Sequence, residues 1–510
     1  MLTRLYGFVS CLANDIHRHL VDWFARDPID LFRRRVETVN FYVTHRLTTK
    51  DNMREQYPTD WAIRSAAKVM ALLFAANGLR RHEKLSVHEF YNTMVDYVDY
   101  FRDFQRWQEQ SGMFAFCQYP FLISLGVKMQ IMEMDAKRTM AEKIREAFWI
   151  QTFHGILTDP FLSIHVRRDH LIEDSLNQLQ QVRPLELKKR LKIEFANEDG
   201  VDAGGLSKEW FLLLTRDLFD PQFGMWTYDD ESHYCWFSQF SFDSAKEEYR
   251  LLGIVLGLAI FNNVIIPCPL PLACYKKLLN IPVDLDDLKV LRPSLGKGLQ
   301  QLLDYTGNDV QDVFLRDFVV EVESFGEIQT VELIPNGRNR PVTSENKEEY
   351  VRLYVDWIFN RSVHTQFESF RAGFDTVCKG SPLTLFKPEE LEMVVRGDEE
   401  IDIAALQSVT EYEGFDPREP TVRWFWEVAK SYSEEDKKKL LSFVTGSDRV
   451  SPTGIQTMQF KLTCLGNDSD RLPQSHTCFN QLGLYRYTSK EKLAWKLKTA
   501  IIDSSGFGLK

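Results

Sequence analysis

The sequence lacks the paired cysteines that mark metal-binding and disulfide-stabilised proteins. Its eight cysteines are spread over 510 residues, and none stands in a Cys-x-x-Cys pair. Neither a zinc ribbon nor a thioredoxin-like redox site is therefore predicted. Scattered thiols are typical of proteins kept in a reducing compartment. We expect an intracellular protein of the cytoplasm, with the nucleus as a second compartment.

Long hydrophobic runs and an excess of positive charge are also missing. The most apolar run, Leu251–Ile266, contains Asn262 and Asn263 and is shorter than the roughly 20 residues that cross a bilayer. It predicts a buried helix, and we expect no membrane span. Met1–Leu20 has polar residues where a signal peptide would have its apolar core. The net charge of −11 argues against a general nucleic-acid-binding protein, which is usually basic.

What is present is the composition of an ordinary globular protein, with 44% hydrophobic and 26% charged residues. A chain of 510 residues predicts several domains. Residues 1–114 read as helical. Ser65–Asn77 is rich in Ala and Leu, and apolar residues recur every three or four positions over Val87–Phe104, which predicts one helix with an apolar face. The aromatic residues of that face suit a ligand groove or a core between helices, and the core is the simpler interpretation.

Near the C-terminus, Arg471–Asn480 places one thiol, Cys478, in a segment of small polar residues that contains a proline. A thiol in such a segment can be exposed enough to react. The neighbouring His476 and Thr477 provide an imidazole and a hydroxyl that are able to stabilise a thiolate. A buried, inert thiol is the alternative, because most cysteines in proteins are of that kind.

The pattern over Leu472–Leu482, Leu-Pro-x-Ser-x-Thr-Cys-Phe-x-x-Leu, resembles the active-site signature of the HECT-type ubiquitin ligases. Glu198–Phe211 resembles a second signature of that family. Phe116–Phe121 is similar to the segment that leads into the family's catalytic domain, and Ile164–Leu176 is similar to the first element of that domain. The resemblance covers residues 115–510. The window around the thiol is similar to the branch of the papillomavirus-oncoprotein-associated ligase and its relatives.

The resemblance implies an α+β fold: a bilobal HECT catalytic domain with a mostly helical N-lobe and a smaller mixed α/β C-lobe, preceded by an all-helical N-terminal region. The expected boundaries are residues 1–114 for the N-terminal region, 115–396 for the entry helices and N-lobe, 397–400 for the hinge and 401–510 for the C-lobe, with the HECT domain at about 164–510. The charges and the glycine of Arg396–Glu400 predict a flexible, solvent-exposed linker between the lobes.

The activity that the resemblance implies is ubiquitin transfer in two steps. Cys478 takes ubiquitin from a ubiquitin-conjugating enzyme as a thioester and passes it to lysines of protein substrates. His476 and Thr477 are candidates to support the thiol, and Phe507 matches a C-terminal Phe that the family uses to order the second step. No metal, organic cofactor or nucleic acid is implied. A cysteine hydrolase acting on ubiquitin conjugates and a non-catalytic scaffold remain open as alternatives.

A ligase of this kind needs an apolar groove on its N-lobe for the conjugating enzyme. The resemblance places the lining of this groove at Leu295, Leu299, Val313, Leu315, Tyr350 and Tyr354. The two tyrosines are four residues apart, so they share one face of the helix predicted for Lys347–Phe359, as aromatic anchors of an interaction hot spot would. Ordinary core is the alternative for each residue of the group.

One segment departs from the family pattern. The family usually has Leu-Pro-x-Tyr after its active-site loop, whereas this chain has Leu484-Tyr-Arg-Tyr487. The missing proline predicts a looser turn but removes no reacting group.

Overall fold

The computed structural model describes residues 1–49, 53–80, 83–155, 158–198, 204–239, 245–324, 327–380, 382–455 and 458–503. The chain forms two compact units. The first unit comprises Met1–Asp135 with Ser381–Phe386, and the second comprises Ala136–Gly380 with Lys387–Lys510. Helices dominate both units, and every described strand belongs to the second.

The first unit is built around a long apolar helix, α5. Its helices are α1 (Leu2–Ser10), α2 (Asn14–Ala25), α3 (Ile29–Thr49), α4 (Met53–Gln56), α5 (Trp61–Leu79) and α6 (Tyr100–Gln108), and α7 (Leu125–His154) begins in it. Asp60 caps α5 by accepting hydrogen bonds from the backbone N–H groups of Ala62 and Ile63. By length and composition α5 is able to cross a membrane, but more than half of it is buried, and it packs against α1, α2 and α3. That is how a core helix packs.

The single helix predicted over Val87–Phe104 is wrong. The segment forms two 3₁₀ turns and then the separate helix α6. Ser86 caps the first turn and Asp99 caps α6, because Ser and Asp side chains offer the backbone hydrogen-bond partners outside a continuous helix. The core interpretation of its apolar residues is confirmed for Phe90 and Phe104, which are both buried.

Up to residue 396 the second unit is mostly helical. Its helices here are α8 (Leu171–Leu179), α9 (Gly205–Leu218), α10 (Lys246–Phe261), α11 (Leu272–Leu278), α12 (Leu285–Leu291), α13 (Pro293–Asp304), α14 (Val310–Phe314), α15 (Lys347–Phe359), α16 (His364–Cys378) and α17 (Pro388–Arg396). Three two-stranded sheets accompany them: β1 (Phe161–Val166) parallel to β2 (Arg190–Phe195), β3 (Trp226–Tyr228) antiparallel to β4 (Cys235–Phe237), and β5 (Val319–Ser324) antiparallel to β6 (Glu327–Glu332).

Helices α10 and α16 form the centre of this helical part. The buried helix predicted in Leu251–Ile266 is confirmed as α10, whose residues 251–260 are all buried. The two helices approach closely at glycines, since a Cβ atom on Gly253 would lie 1.9 Å from the carbonyl oxygen of Phe370.

Residues 401–503 form a smaller α/β body, called here the C-terminal body. Its elements are α18 (Ile403–Ser408), β7 (Thr410–Glu413), α19 (Pro420–Lys430), α20 (Glu434–Thr445), β8 (Phe460–Gly466), β9 (Gln474–His476), β10 (Gln481–Tyr485) and α21 (Lys490–Asp503). The sheet has the order β7–β8–β10–β9. β8 is parallel to β7 and β10, and β9 is antiparallel to β10. Side chains such as Phe425, Leu462 and Leu497 form its core.

Candidate active site

Cys478 stands at the tip of a β-hairpin in the C-terminal body. β9 and β10 pair antiparallel with His476 opposite Gln481, and Thr477–Phe479 form a 3₁₀ turn between them. β9 is an outer strand of the sheet, so the turn lies at the sheet edge. In the segment Arg471–Asn480, Cys478 therefore lies in a turn that follows the outer strand β9, and not in a core strand.

Asn480 closes this turn in a left-handed backbone conformation, with φ 47° and ψ 45°. Asn tolerates this conformation because its short polar side chain can hydrogen-bond locally. Its carbonyl oxygen accepts a hydrogen bond from the backbone N–H of Lys461 on β8 at 3.0 Å. The Gln481 amide donates to the Thr463 hydroxyl, also on β8, at 2.8 Å. Both bonds tie the base of the turn to the central part of the sheet, which sets the position of the Cys478 backbone.

The residues next to Cys478 are accessible to solvent. His476 is exposed, Thr477 is half-buried, and the Phe479 side chain is 65% exposed. The side chain of Cys478 and the whole of Phe507 lie outside the described residues, so the roles predicted for them stay predictions. Exposed neighbours on both sides suit a thiol that has to meet a donor of protein size.

The loop that leads into β9 is held by two lysines of α21. The Lys496 ammonium donates to the carbonyl oxygen of Asp470, and Lys492 forms an ion pair with Asp468 at 3.0 Å. The role of these two lysines was not predicted from the sequence. Their spacing of four residues, which puts them on one helix face, was the available signal.

Tyr487 and Arg486 hold the turn after β10 through hydrogen bonds, and the predicted looser turn stays a prediction. The Tyr487 hydroxyl donates to the carbonyl oxygen of Arg471 at 2.9 Å. The Arg486 guanidinium donates to the Glu419 carboxylate at 2.9 Å and to the carbonyl oxygen of Gly414 at 2.7 Å. The hydrogen bond from Arg486 lowers the pKa of Glu419.

Two stretches that resemble family signatures, Ile164–Leu176 and Glu198–Phe211, are joined by Arg168. Its guanidinium donates to the carboxylate of Glu198 and, at 2.8 Å, to that of Glu209. The bond from Arg168 lowers the pKa of Glu198, whereas burial raises the pKa of Glu209 in spite of the same cation. Arg168 thus fixes both flanks of the segment 199–203, which lies outside the described residues. In the described residues, Arg168 therefore has a structural role that connects the two stretches.

Gly397 begins the predicted hinge and needs to be a glycine. Its φ is +67°, and a Cβ atom there would lie 2.6 Å from the carbonyl oxygen of Val450. Asp398 and Val450 exchange backbone hydrogen bonds of 2.8 and 2.9 Å, and Glu399 forms an ion pair with Lys438 at 2.9 Å. Residues 398–400 are exposed as predicted. The glycine is needed for a left-handed backbone conformation and a close approach to Val450, and the flexibility of the hinge stays a prediction.

The six residues predicted to line the conjugating-enzyme groove divide by exposure. Leu299 and Tyr350 are buried, whereas Val313 is 51% and Leu315 81% exposed. The remaining two, Leu295 and Tyr354, are half-buried. The core alternative is therefore confirmed for two members, and four members offer apolar surface.

Leu315 is the most exposed member of this group, and its backbone is unusual. It ends α14 in the left-handed conformation, with φ 48° and ψ 46°, which costs a residue with a Cβ about 1–2 kcal/mol. Nearby, the buried Tyr350 ring packs edge-on against Phe318 at 5.5 Å and Tyr354 at 5.8 Å. Lys347, at the start of α15, donates to the carbonyl oxygens of residue 303 in the last turn of α13 and residue 305 just after it. Buried aromatic and charged contacts thus hold the elements from which the exposed leucine extends.

The other thiols of the chain give little sign of reactivity. Five of the seven cysteines with described side chains are buried, and burial raises the pKa of Cys378 to about 12 and that of Cys268 to about 11. Cys11 is exposed and Cys464 is half-buried. In the part of the chain that the structure describes, no group of three or more His, Cys, Asp or Glu side chains is arranged to hold a metal ion.

Comparison with known proteins identifies the family. A family model described as HECT-domain (ubiquitin-transferase) matches residues 212–510. Over its full length the chain is 38% identical to the probable E3 ubiquitin-protein ligase mug30 of Schizosaccharomyces pombe and covers 67% of that protein. Over 98% of its length it is 40% identical to the probable E3 ubiquitin-protein ligase HECTD2 of Mus musculus, again covering 67%. Over 88% it is 37% identical to the probable E3 ubiquitin-protein ligase HERC4 of Homo sapiens, covering 44%.

The chain belongs to the HECT-type ubiquitin ligase family, as its signatures predicted. It is a ubiquitin-protein ligase, a transferase that works with ubiquitin and a ubiquitin-conjugating enzyme. The α+β class is confirmed, with a mostly helical part followed by the mixed C-terminal body. The alignments with mug30 and HECTD2 also include the helical first unit, although the family model starts only at residue 212. The assignment to one branch of the family stays a prediction.

Proposed function

We propose that Cys478 is the residue that carries ubiquitin during transfer. The observation that supports this most directly is its position on the hairpin turn between β9 and β10, flanked by the exposed His476 and Phe479. A turn whose base is hydrogen-bonded to β8 and whose neighbouring residues are exposed allows a thiol to approach the thioester of a second protein. The buried cysteines of the chain lack this access.

The transfer consists of two acyl exchanges. The Cys478 thiolate attacks the carbonyl carbon that joins the C-terminus of ubiquitin to the cysteine of the conjugating enzyme. A new thioester to Cys478 forms, and the sulfur of the conjugating enzyme leaves as a thiolate. The amine of a substrate lysine then attacks the same carbon and loses a proton, an isopeptide bond forms, and the Cys478 thiolate leaves.

Cysteine suits this reaction because exchange between two thioesters is nearly isoenergetic, so the acyl group stays activated. An ordinary thiol with a pKa of about 8.5 is already a few per cent ionised at neutral pH, so strong activation is not required. His476 acts either as a general base or as a hydrogen-bonding support, and Thr477 supports the thiol. An acidic residue is the partner that takes the proton of the incoming lysine, and Phe507 orders this second step.

The conjugating enzyme docks on the exposed part of the predicted groove. Val313 and Leu315 make the first contact, with the half-buried Leu295 and Tyr354 at their side. Exposed apolar residues supported by packed aromatic residues are typical of interaction hot spots. Leu299 and Tyr350 contribute by holding this surface in shape.

We propose that the protein is intracellular and works in the cytoplasm, with the nucleus as a second compartment. The seven cysteines with described side chains are all free thiols, as in a reducing compartment. Imaging of a fluorescent fusion of the full chain checks this, and accumulation in the secretory pathway would contradict it.

A charging assay tests the nucleophile. The full chain is mixed with a conjugating enzyme that carries ubiquitin, and a ubiquitin adduct that a reductant removes is expected on a non-reducing gel. Cys478→Ala should abolish the adduct, because no other thiol occupies the turn. Cys11→Ala removes an exposed thiol elsewhere and should charge like the wild type. An adduct on Cys478→Ala would show that another cysteine is the acceptor, and conjugate cleavage without charging would favour a hydrolase.

Two further variants separate the supporting roles. Phe507→Ala should still charge but pass ubiquitin to free lysine more slowly, and slower charging would contradict its assignment to the second step. If His476 is a general base, His476→Gln should remove a titration from the pH profile of charging. If it only forms a hydrogen bond, His476→Gln should retain that profile.

A further inference from the structure

We propose that a basic and aromatic groove in the first unit binds an acidic protein segment that carries a bulky apolar side chain. The groove has a volume of about 720 Å³ and lies along α1 and α5, with Tyr119 at its side. It is called here the basic groove. The transfer chemistry of Cys478 uses none of its residues, so the proposal does not depend on the proposed nucleophile.

Three cations line the basic groove although the chain as a whole is acidic, with a net charge of −11. They are Arg4 on α1 and Arg64 and Lys68 on α5. Arg4 and Arg64 are exposed, and neither has an ion-pair partner among the residues that the structure describes. Lys68 donates to the carbonyl oxygen of Ser10 at 2.5 Å, a neutral acceptor. The three positive charges are thus available to carboxylates of a ligand.

Two large aromatic side chains provide the apolar part of the same groove. Phe8 is 68% and Trp61 59% exposed, and both line it. The indole of Trp61 lies against bare backbone of α1, because a Cβ atom on Gly7 would be only 3.0 Å from its Cζ3 atom. The absence of a side chain at Gly7 therefore allows the Trp61 ring to lie close to α1. Exposed aromatic residues beside arginines are the composition of protein-binding hot spots.

The concave shape and the charge of the protein favour a peptide over other anionic ligands. A bilayer surface is nearly flat, so its lipid headgroups would not reach cations that line a cavity. A nucleic acid needs an extended basic stripe and would be repelled by the net negative charge. A flexible acidic segment is able to place two carboxylates on the arginines and one apolar side chain between Phe8 and Trp61.

Selection from a library of short random peptides tests the proposal with the full-length protein. The library is enriched on the wild type and counter-selected on Arg4→Glu/Arg64→Glu, which reverses two exposed charges. We expect enriched peptides to combine several Asp or Glu residues with a Trp, Phe, Leu or Met. Fluorescence anisotropy should then show binding weakened by at least about ten-fold in the double variant, as for loss of hot-spot charges.

Controls within the same unit make the result decisive. Arg18→Glu/Lys84→Glu makes the same charge change at two exposed residues outside the groove and should leave peptide affinity within about two-fold of the wild type. Gly7→Ala should weaken binding by displacing Trp61, and Cys478→Ala should bind like the wild type. The proposal fails if no acidic peptides are enriched, if both double variants bind equally, or if only phosphatidylserine vesicles bind.

Discussion

The hairpin around Cys478 and the surface around Leu315 are two proposed functional regions, and the sequence located the first much more precisely than the second. The hairpin is one continuous segment whose residue types indicate the reaction. In the structure, Cys478 lies in the single turn of that hairpin. The residues of the proposed docking surface belong to α13, α14 and α15 or follow α14 directly. Of its six predicted residues, two belong to the core.

The difference follows from what each region has to do. A nucleophile is a property of one atom, so a short motif identifies it. A docking surface is a property of exposure, and exposure depends on how distant elements pack. Leu299 and Leu315 are both leucines, yet one is 6% and the other 81% exposed. The following predictions test this contrast.

Tyr350→Ala should have the largest effect on stability. Its ring is 2% exposed and packs on Phe318 and Tyr354, so the variant should lose about 3–5 kcal/mol of unfolding free energy, as for other buried aromatic truncations. Denaturant unfolding measures this loss. Tyr97→Ala, at a tyrosine that is 67% exposed, is the matched control and should change little. A stable Tyr350→Ala protein that only charges poorly would make this tyrosine a direct contact instead.

Leu315→Gly should show the opposite behaviour. Glycine adopts the left-handed conformation freely, so stability should stay unchanged or rise by up to about 1 kcal/mol. Charging from the conjugating enzyme should fall by about ten- to thirty-fold, the effect of losing a hot-spot side chain. Unfolding curves and single-turnover charging rates measure the two effects. Normal charging would remove Leu315 from the docking surface.

Gly397→Ala should destabilise the protein by about 1–3 kcal/mol, because the φ of Gly397 is positive and a Cβ atom there would lie 2.6 Å from the Val450 carbonyl oxygen. Gly298→Ala is the matched control. Gly298 lies within α13 with nothing near its Cβ position, so alanine should raise stability by up to about 1 kcal/mol. Thermal unfolding of both variants compares them. Equal thermal unfolding midpoints for the two variants would show that the backbone after α17 accommodates a Cβ atom without loss of stability.

Arg486→Gln should have the smallest effect, a slight loss of unfolding free energy at neutral pH from its hydrogen bonds. The pKa of Glu419 is lowered in the folded state by Arg486. The contribution of this ion pair to the unfolding free energy is therefore fully present above the usual glutamate pKa of about 4.3. It is lost as the pH falls through the lowered pKa of Glu419. The stability difference between wild type and variant should shrink at acidic pH in urea unfolding curves. Arg418→Gln, at an exposed arginine of the same body, should show no such pH dependence.

The sequence predicted several helices, and it failed where side chains compete with the backbone. The apolar run Leu251–Ile266 located α10, and the helix predicted for Lys347–Phe359 is α15. Apolar periodicity gave a wrong result over Val87–Phe104, where Ser86 and Asp99 cap separate turns. The lysines of α21 and Arg486 were missed because their partners are backbone carbonyls and carboxylates many residues away. No local pattern records such partners.

By itself, the sequence determined the family, the kind of reaction and the cysteine that we propose for it, because these depend on residue types in short segments. Only the tertiary structure decided which apolar side chains form surface, why Gly397 needs a glycine and that Arg4, Arg64 and Trp61 share one groove. The physical reason is that burial and charge pairing arise between elements far apart in the chain, and they exist only once those elements have packed.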